Sequence, residues 1–188
     1  MKFLIAIGSK EYSEPTLRLG MRVAKAFNAA VTIVYVGEKI SAFSTSGVHL
    51  AQENLENWEL DRQGVDVLAW AFKYLADNGY LSTESEGEGF NIGKLVQTDE
   101  DRCEVYLEGN HTQEVGLILR NGDIIQQLRD EVNKRAFDIT IIGASKKRSM
   151  AHDLIQYIDS SIFVVKNYQP DGQYKMLLAV NDAPNTRK

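Results

Sequence analysis

Cysteine and proline are scarce in this sequence, whose 188 residues include one cysteine, Cys103, and three prolines. A single cysteine cannot form an intrachain disulfide, so nothing in the sequence indicates an oxidising compartment. Positive charge is not in excess either, because the formal net charge is −5. A nucleic-acid-binding protein usually needs a positive face to neutralise phosphates, and this balance argues against one.

Long apolar runs are also lacking, and none approaches the length of a bilayer span. The opening MKFLIAIG is too short an apolar run for a secretory signal and is typical of a first strand. With 44% hydrophobic and 25% charged residues, the composition is that of a soluble globular protein. These features predict a cytoplasmic protein without membrane or nucleic-acid partners.

Groups of residues that could carry catalysis are missing as well. The three histidines, His49, His111 and His152, are far apart and have no cysteine or carboxylate cluster at ligand spacing, so no metal site is predicted. His152 adjoins Asp153, but no serine or cysteine stands in a strand-to-helix elbow to complete a nucleophilic triad. The sequence therefore predicts no catalytic residues and no metal, and we expect a protein that is not an enzyme.

What the sequence does contain is a regular alternation of short apolar runs and helical patterns. The apolar runs are expected to be buried strands at 2–8, 30–37, 114–119, 138–143 and 161–167. The helical patterns cover 13–29, with Ser13 as the N-cap, 49–80, with Gly64 as an interruption, 121–136 and 149–159. This order predicts an α/β fold with helices on both faces of a mainly parallel sheet.

One segment does not fit the alternating plan. Residues 82–93 are polar and glycine-rich and are expected to form a loop. In residues 91–107, NIGKLVQTDEDRCEVYL, apolar residues alternate with polar ones at Leu95, Cys103, Val105 and Leu107. The alternation predicts a β-hairpin added to the five-strand plan, with one covered face and one solvated face.

Four stretches, in order along the chain, resemble the universal stress protein family. They are FLIAIGSKEYSEPTLRLGMRVA, AAVTIVYVGE, VGLILRNGDIIQQLRDEV and AFDITIIGAS. The stretch between the second and third of them, residues 38–113, carries no signature of the family. The resemblance implies a Rossmann-like, open, mainly parallel five-stranded sheet in a domain over residues 1–168, with the hairpin as an insertion.

Nucleotide-binding members of this family carry an aspartate at the end of the first strand, a G-x-x-G turn after the fourth strand, and a later Gly-(Ser/Thr) pair. Here the aspartate position is Gly8, and Lys146 stands where the second glycine of the turn belongs. The stretch after Gly143 is also shorter than the family pattern and has no Gly-(Ser/Thr) pair before Lys166. The resemblance thus implies a vestigial nucleotide pocket at Gly8, Ser9, Val36, Gly143, Ser145 and Lys146.

The resemblance implies a stress-response or signalling module that is non-enzymatic, does not bind ATP tightly and needs no cofactor. It would act through a homodimer at the edge of the last strand or through an unknown protein partner. An alternative is an ATP-binding member that uses the basic loop Gly143–Ser149. Under that alternative, the protein could also hydrolyse ATP slowly.

Residues 174–180, YKMLLAV, repeat the pattern of the opening KFLIAI. Many members of the family carry two domains in tandem, so residues 169–188 resemble a linker and the first strand of an incomplete second repeat. A simple C-terminal strand and a piece of a longer protein are the alternatives. In each case we expect Lys175–Val180 to add as a strand to a sheet edge, because an exposed apolar strand would promote aggregation.

Overall fold

The structure is a computed structural model that describes residues 1–37, 62–99, 101–110, 112–144, 149–166, 168–170 and 172. Several predicted features lie outside these residues, namely the loop 38–47, the first part of the helix 49–80, Ser145, Lys146 and the segment 174–180. No helix in the described ranges is long and apolar enough to cross a membrane.

The described residues form seven strands and five α-helices. The strands are β1 (Lys2–Ile7), β2 (Ala30–Gly37), β3 (Val96–Asp99), β4 (Arg102–Glu108), β5 (Glu114–Asn121), β6 (Ile139–Gly143) and β7 (Ser161–Val165). The helices are α1 (Lys10–Ala26), α2 (Arg62–Asp77), α3 (Thr83–Glu88), α4 (Ile124–Arg135) and α5 (Ser149–Tyr157), and Ile92–Lys94 adds one 3₁₀ turn.

The strands form one sheet in the order β3-β4-β5-β2-β1-β6-β7. The five strands of the predicted plan pair in parallel, which confirms the α/β fold. The predicted hairpin is also confirmed, because β3 and β4 pair antiparallel. It is not separate from the sheet, however. β4 pairs antiparallel with β5 along its whole length, so the insertion enlarges the sheet to seven described strands.

Two apolar layers cover the sheet. On one face α1 and α2 pack over Phe3, Ile5, Ile33 and Leu117, and Cys103 of β4 belongs to this layer as predicted. On the other face α4 and α5 pack through residues that include Leu128, Val132, Leu154 and Ile158. Helices on both faces leave the ends of the strands as the exposed rims of the sheet.

The start of α1 differs from the prediction. The helix begins at Lys10 with Ser9 as the N-cap residue, and Ser13 lies inside its first turn. The Ser13 side chain is buried and accepts a hydrogen bond from the backbone N–H of Gly8 at 2.7 Å. A serine hydroxyl can cap a helix or bond a neighbouring loop equally well, and here it fixes the turn between β1 and α1.

Two other predictions are corrected by the helices. The segment predicted as a loop at 82–93 contains α3, whose N-cap Ser82 accepts a hydrogen bond from the N–H of Ser85. Gly64 does not interrupt the predicted helix, because α2 runs through it from Arg62 to Asp77. A Cβ at Gly64 would lie 2.5 Å from Leu119 Cδ1, so glycine permits the close approach of α2 to the sheet.

Candidate functional site

The carboxyl ends of β1 and β6 define the place where this sheet is expected to bind a ligand. The chain leaves β1 through α1 on one face, and it returns to pair β6 with the other side of β1 after passing through α4 on the opposite face. Successive connections therefore diverge between these two strands. Open α/β sheets commonly bind ligands at such a switch point, outside the carboxyl ends of the strands.

Gly8 follows β1 at this edge, and its backbone is already engaged within the protein. Its N–H donates to Ser13 Oγ, so that group does not face outward to receive a phosphate. The carbonyl of Ser9 accepts from the N–H groups of Tyr12 and Ser13, at 3.3 and 3.1 Å. A Cβ added at Gly8 would meet only Ser13 Oγ at 3.9 Å, an ordinary contact, so a larger residue fits here.

Gly143 ends β6 on the neighbouring strand, and its surroundings explain why it is glycine. A Cβ at this position would lie 2.8 Å from Thr16 Oγ1 of α1, and Thr16 is buried. Glycine at 143 therefore lets helix α1 pack against β6. This packing role accounts for the residue without a bound phosphate.

Substitution Gly143→Ala should lower the free energy of unfolding by about 1–3 kcal/mol, because the new methyl group overlaps Thr16 Oγ1. The double variant Gly143→Ala/Thr16→Ala should recover most of that loss, since it removes the opposing oxygen. Urea unfolding of the wild type, both single variants and the double variant measures the coupling. Additive losses in the double variant would show that the two positions do not pack together.

The remaining residues of the predicted pocket are only partly described. Gly8, Ser9 and Gly143 come together at the ends of adjacent strands, and Val36 lies near the end of β2, half-buried against the layer that holds α4. A cavity of about 110 Å³ lies at the opposite rim of the sheet, lined by Lys2, Ala30, Thr32, Glu114, Arg135 and Phe137. Over the described ranges, no group of three or more metal-ligating side chains occurs.

A second polar arrangement, the ion cluster, lies between the hairpin and α4. At its centre Arg102 of β4 is 1% exposed and donates from Nε to Glu131 Oε1 at 2.5 Å. The same guanidinium donates to Thr98 Oγ1 at 2.5 Å and to Glu104 Oε2 at 2.7 Å. Glu131 is fully buried, so its charge depends entirely on the arginines around it.

Arg120 of β5 stands directly opposite Arg102 in the strand register. Two facing arginines repel each other, and Glu131 Oε1 lies between them, accepting a 3.1 Å bond from Arg120 as well. The Arg120 guanidinium also lies 3.7 Å from Asp101, whose carboxylate accepts a 2.7 Å bond from Gln127 of α4. The buried carboxylate of Glu131 thus joins strands β4 and β5 to helix α4.

Tyr106 and Arg135 close the outer side of the ion cluster. The Arg135 guanidinium lies 4.8 Å from the centre of the Tyr106 ring and donates to Glu104 Oε2 at 2.8 Å. The Tyr106 hydroxyl donates to that same oxygen. The ring has room because Gly116 is its partner on β5, where a Cβ would come within 2.8 Å of Tyr106 Cε1.

The ionisation of the cluster follows from these bonds. Burial alone would raise the pKa of Glu104, but hydrogen bonds from Arg102 and Tyr106 lower it to about 2. Burial and the hydrogen bond to Glu104 raise the pKa of Tyr106 to about 12. Burial would lower the pKa of Arg102, yet its bonds to Glu104 and Glu131 raise it further above its usual value. Glu104 and Arg102 therefore stay charged, and Tyr106 stays neutral, across the physiological pH range.

The ion cluster shows that the prediction of a solvated face is wrong for β4, whereas β3 is exposed along its whole length. Alternation correctly separated the apolar from the polar positions, but α4 and its Glu131 cover much of the polar face. One signal in the sequence was available. Gln127, Glu131 and Arg135 repeat at four-residue spacing beside the apolar stripe of α4, which marks a polar stripe facing a neighbour.

No protein-family model matches the sequence, and no curated protein sequence matches it. Solved structures do match. A universal stress protein from Archaeoglobus fulgidus gives a TM-score of 0.53 at 14% identity, over 88% of this chain and 98% of that one. UspA from Lactobacillus plantarum gives a TM-score of 0.54 at 11% identity, over 88% and 97%. The structure of the universal stress protein from A. fulgidus in complex with dAMP gives 0.53 at 14% identity, over 88% and 98%.

These similarities define the fold of this chain as that of the universal stress proteins, with a Rossmann-like parallel sheet. The match extends over 88% of the chain and confirms the fold that four sequence stretches implied.

Proposed function

We propose that this protein is a stress-response or signalling module of the universal stress protein type that does not bind ATP tightly and is not an enzyme. It acts in the cytoplasm, through dimerisation or a protein partner. The proposal rests on one observation above all. The two glycines of the predicted vestigial pocket serve the protein's own packing, since the Gly8 N–H donates to Ser13 and Gly143 packs against Thr16.

Chemistry at the same edge supports the proposal. A carboxylate at the end of β1 would be needed to accept a hydrogen bond from a nucleotide base, and Gly8 has no side chain. The described part of this edge also brings together no nucleophile and general base that could support catalysis.

The association we propose is a homodimer at the β7 end of the sheet. Phe163 and Val164 on this edge strand are each 41% exposed, and they point to opposite faces of the sheet because successive side chains of a strand alternate. Exposed apolar residues on an edge strand favour pairing with a further strand. The opposite edge, β3, is short and fully exposed and carries Asp99, which disfavours such pairing.

A second candidate function is the binding of an adenine nucleotide. The A. fulgidus universal stress protein, similar in fold, was solved in complex with dAMP. The monophosphate needs a smaller phosphate cradle than ATP does. The basic loop after Gly143 would then receive that phosphate.

Titration calorimetry distinguishes the two candidates. With ATP and magnesium, the wild-type protein should show no binding in the low-micromolar range. Gly8→Asp should strengthen AMP binding by about ten-fold, because a charged hydrogen bond to the base contributes on the order of 1.5 kcal/mol. The backbone at Gly8 has room for this side chain.

Gly87→Asp is the matched control, since a Cβ at this exposed position in α3 meets no atom within 4 Å. It adds the same charge away from the carboxyl edge and should leave AMP binding unchanged. Micromolar ATP affinity in the wild type would overturn the proposal in favour of the nucleotide-binding alternative. An equal effect of both variants would show that Gly8 is not at the base position.

A further inference from the structure

The cavity at the amino rim of the sheet, about 110 Å³ in volume, is a gap in the packing beside the end of α4. Its floor is the start of β2, where Ala30 and Thr32 have small side chains. Helix α4 ends at Arg135, and Ala136 takes a left-handed conformation with φ of 50°, so no further turn of the helix covers the strand ends. The space is several times the roughly 30 Å³ that one water molecule occupies in the liquid.

Two side chains of opposite charge line this cavity without an ion-pair partner among the described residues. Lys2 stands at the start of β1, and Glu114 stands at the start of β5. Strand β2 lies between them in the sheet, and neighbouring strands are about 4.8 Å apart, so the two backbones are roughly 10 Å apart. The cavity therefore has a positive side and a negative side.

Arg135, the other cation of the lining, is already neutralised. Its guanidinium donates to Glu104 at 2.8 Å and lies over the ring of Tyr106. The Lys2 ammonium instead donates to a neutral group, the carbonyl oxygen of Arg135, at 3.3 Å. This bond uses one of the three N–H donors of the ammonium. One positive and one negative charge thus remain for a ligand.

Thr32 supplies a polar group on the floor between these two charges. The residue is 5% exposed, and over the described ranges its hydroxyl has no hydrogen-bond partner. Buried polar groups are nearly always bonded to protein, water or ligand. A hydroxyl both donates and accepts, so this one can bond an ammonium-bearing or a carboxylate-bearing molecule. Ala30 and Phe137 add an apolar surface beside it.

We propose that this cavity binds a small α-amino acid, of the size of glycine or alanine. The ligand ammonium bonds the Glu114 carboxylate, the ligand carboxylate bonds the Lys2 ammonium, and Thr32 bonds the ligand between them. Glu108 strengthens the attraction for the ammonium, because it faces Glu114 in the strand register and two facing carboxylates repel each other. An alanine methyl group would lie against Phe137.

A ligand with a single charge fits this lining less well. A simple anion would satisfy Lys2 and leave Glu114 without a partner, and a simple cation would do the reverse. Selectivity for the zwitterion follows from this difference, because each singly charged competitor leaves a charged group unpaired.

The site is independent of the proposed function. The predicted vestigial pocket lies at the carboxyl ends of the strands, and the six residues of β1 separate the two rims by roughly 20 Å. An amino acid would add a small-molecule input to the proposed module. ATP affinity, dimerisation and amino acid binding can each be present or absent without the others.

Proton–nitrogen NMR of the labelled full chain tests the proposal. Glycine and L-alanine should shift the amide resonances of Thr32 and Glu114 in a saturable way and leave that of Gly8, at the opposite rim, unchanged. Acetate and methylammonium each carry one of the two charges. Each should bind at least about ten-fold more weakly than L-alanine, since each lacks one charged hydrogen bond.

Two variants and one control assign the binding to this cavity. Glu114→Gln removes the carboxylate charge at an exposed position and should weaken L-alanine binding by about ten-fold. Glu11→Gln removes the same charge in the first turn of α1, at the opposite rim, and should leave the affinity unchanged. Thr32→Val removes only the hydroxyl and should weaken binding by about two- to ten-fold.

Three outcomes would overturn the proposal. If neither amino acid gives saturable shifts at Thr32 and Glu114 in the millimolar range, the cavity is not a ligand site. If acetate binds as tightly as L-alanine, the site is a simple anion site at Lys2. Equal weakening by Glu114→Gln and Glu11→Gln would assign the effect to the net charge of the protein.

Discussion

Replacing Arg102 by methionine should lower the free energy of unfolding by about 3–5 kcal/mol, the usual cost of breaking a buried ion pair by removing one member. The substitution deprives Glu131 and Glu104 of their bonds to the central guanidinium, at 2.5 and 2.7 Å. Methionine fills a similar volume, so the loss of stability measures the removal of the charge and not the creation of a cavity. Urea unfolding followed by circular dichroism measures it.

The control is Arg129→Met on the same helix as Glu131. Arg129 is 46% exposed and lies 3.9 Å from Asp130, so its loss should change stability by no more than about 0.5 kcal/mol. The double variant Arg102→Met/Glu131→Met should be more stable than the sum of the single losses predicts, since it removes both members of the buried pair. A loss in Arg102→Met no larger than in Arg129→Met would contradict the role given to the ion cluster.

Acidification from pH 5 to pH 2 should remove on the order of 3 kcal/mol of stability through Glu104 alone. Its pKa is lowered from 4.5 to about 2 in the folded protein, so the unfolded chain binds the proton more readily. The contribution is therefore complete above pH 4.5 and declines as the pH falls toward 2. Glu104 is 14% exposed, which limits screening by solvent.

The variant Glu104→Gln separates the contribution of Glu104 to the pH dependence of stability from those of the other carboxylates. The variant should be less stable at neutral pH, but its stability should fall less steeply between pH 5 and pH 2 than that of the wild type. Exposed Glu84→Gln, on the helix that packs near β4, serves as the control and should keep the wild-type slope. Equal slopes in all three proteins would mean that Glu104 is not bonded as described.

The order of strands and helices could be predicted because it depends on local pattern. Runs such as FLIAI and VTIVYV are buried on both faces, and only a parallel sheet between two helical layers provides that environment. The hairpin was predictable for the same reason, from the alternation around Cys103. Periodicity identifies which residues share a face, and this part of the fold needs nothing else.

The local sequence pattern does not reveal which element of the structure covers a polar face. Arg102 and Glu104 alternate with apolar residues as solvated positions do, and only the placement of α4 covers them. Ser13 likewise satisfied the rule for a helix cap, yet its partner is Gly8 in the preceding turn. Gly143 matched a phosphate-loop pattern, whereas its contact is Thr16 on α1. In each case the deciding partner comes from another element of the structure.

The inserted hairpin also bears on the size of the assembly that we propose. A sheet with two open edges can add subunits at both ends and grow into a filament. Here β3 and β4 occupy the edge of β5, and the new outer strand has four exposed residues, Val96–Asp99, with an acidic end. This short, acidic edge disfavours strand pairing, so the homodimer proposed at β7 would close after a single symmetric contact. The insertion would in that way keep the sheet from growing beyond two copies.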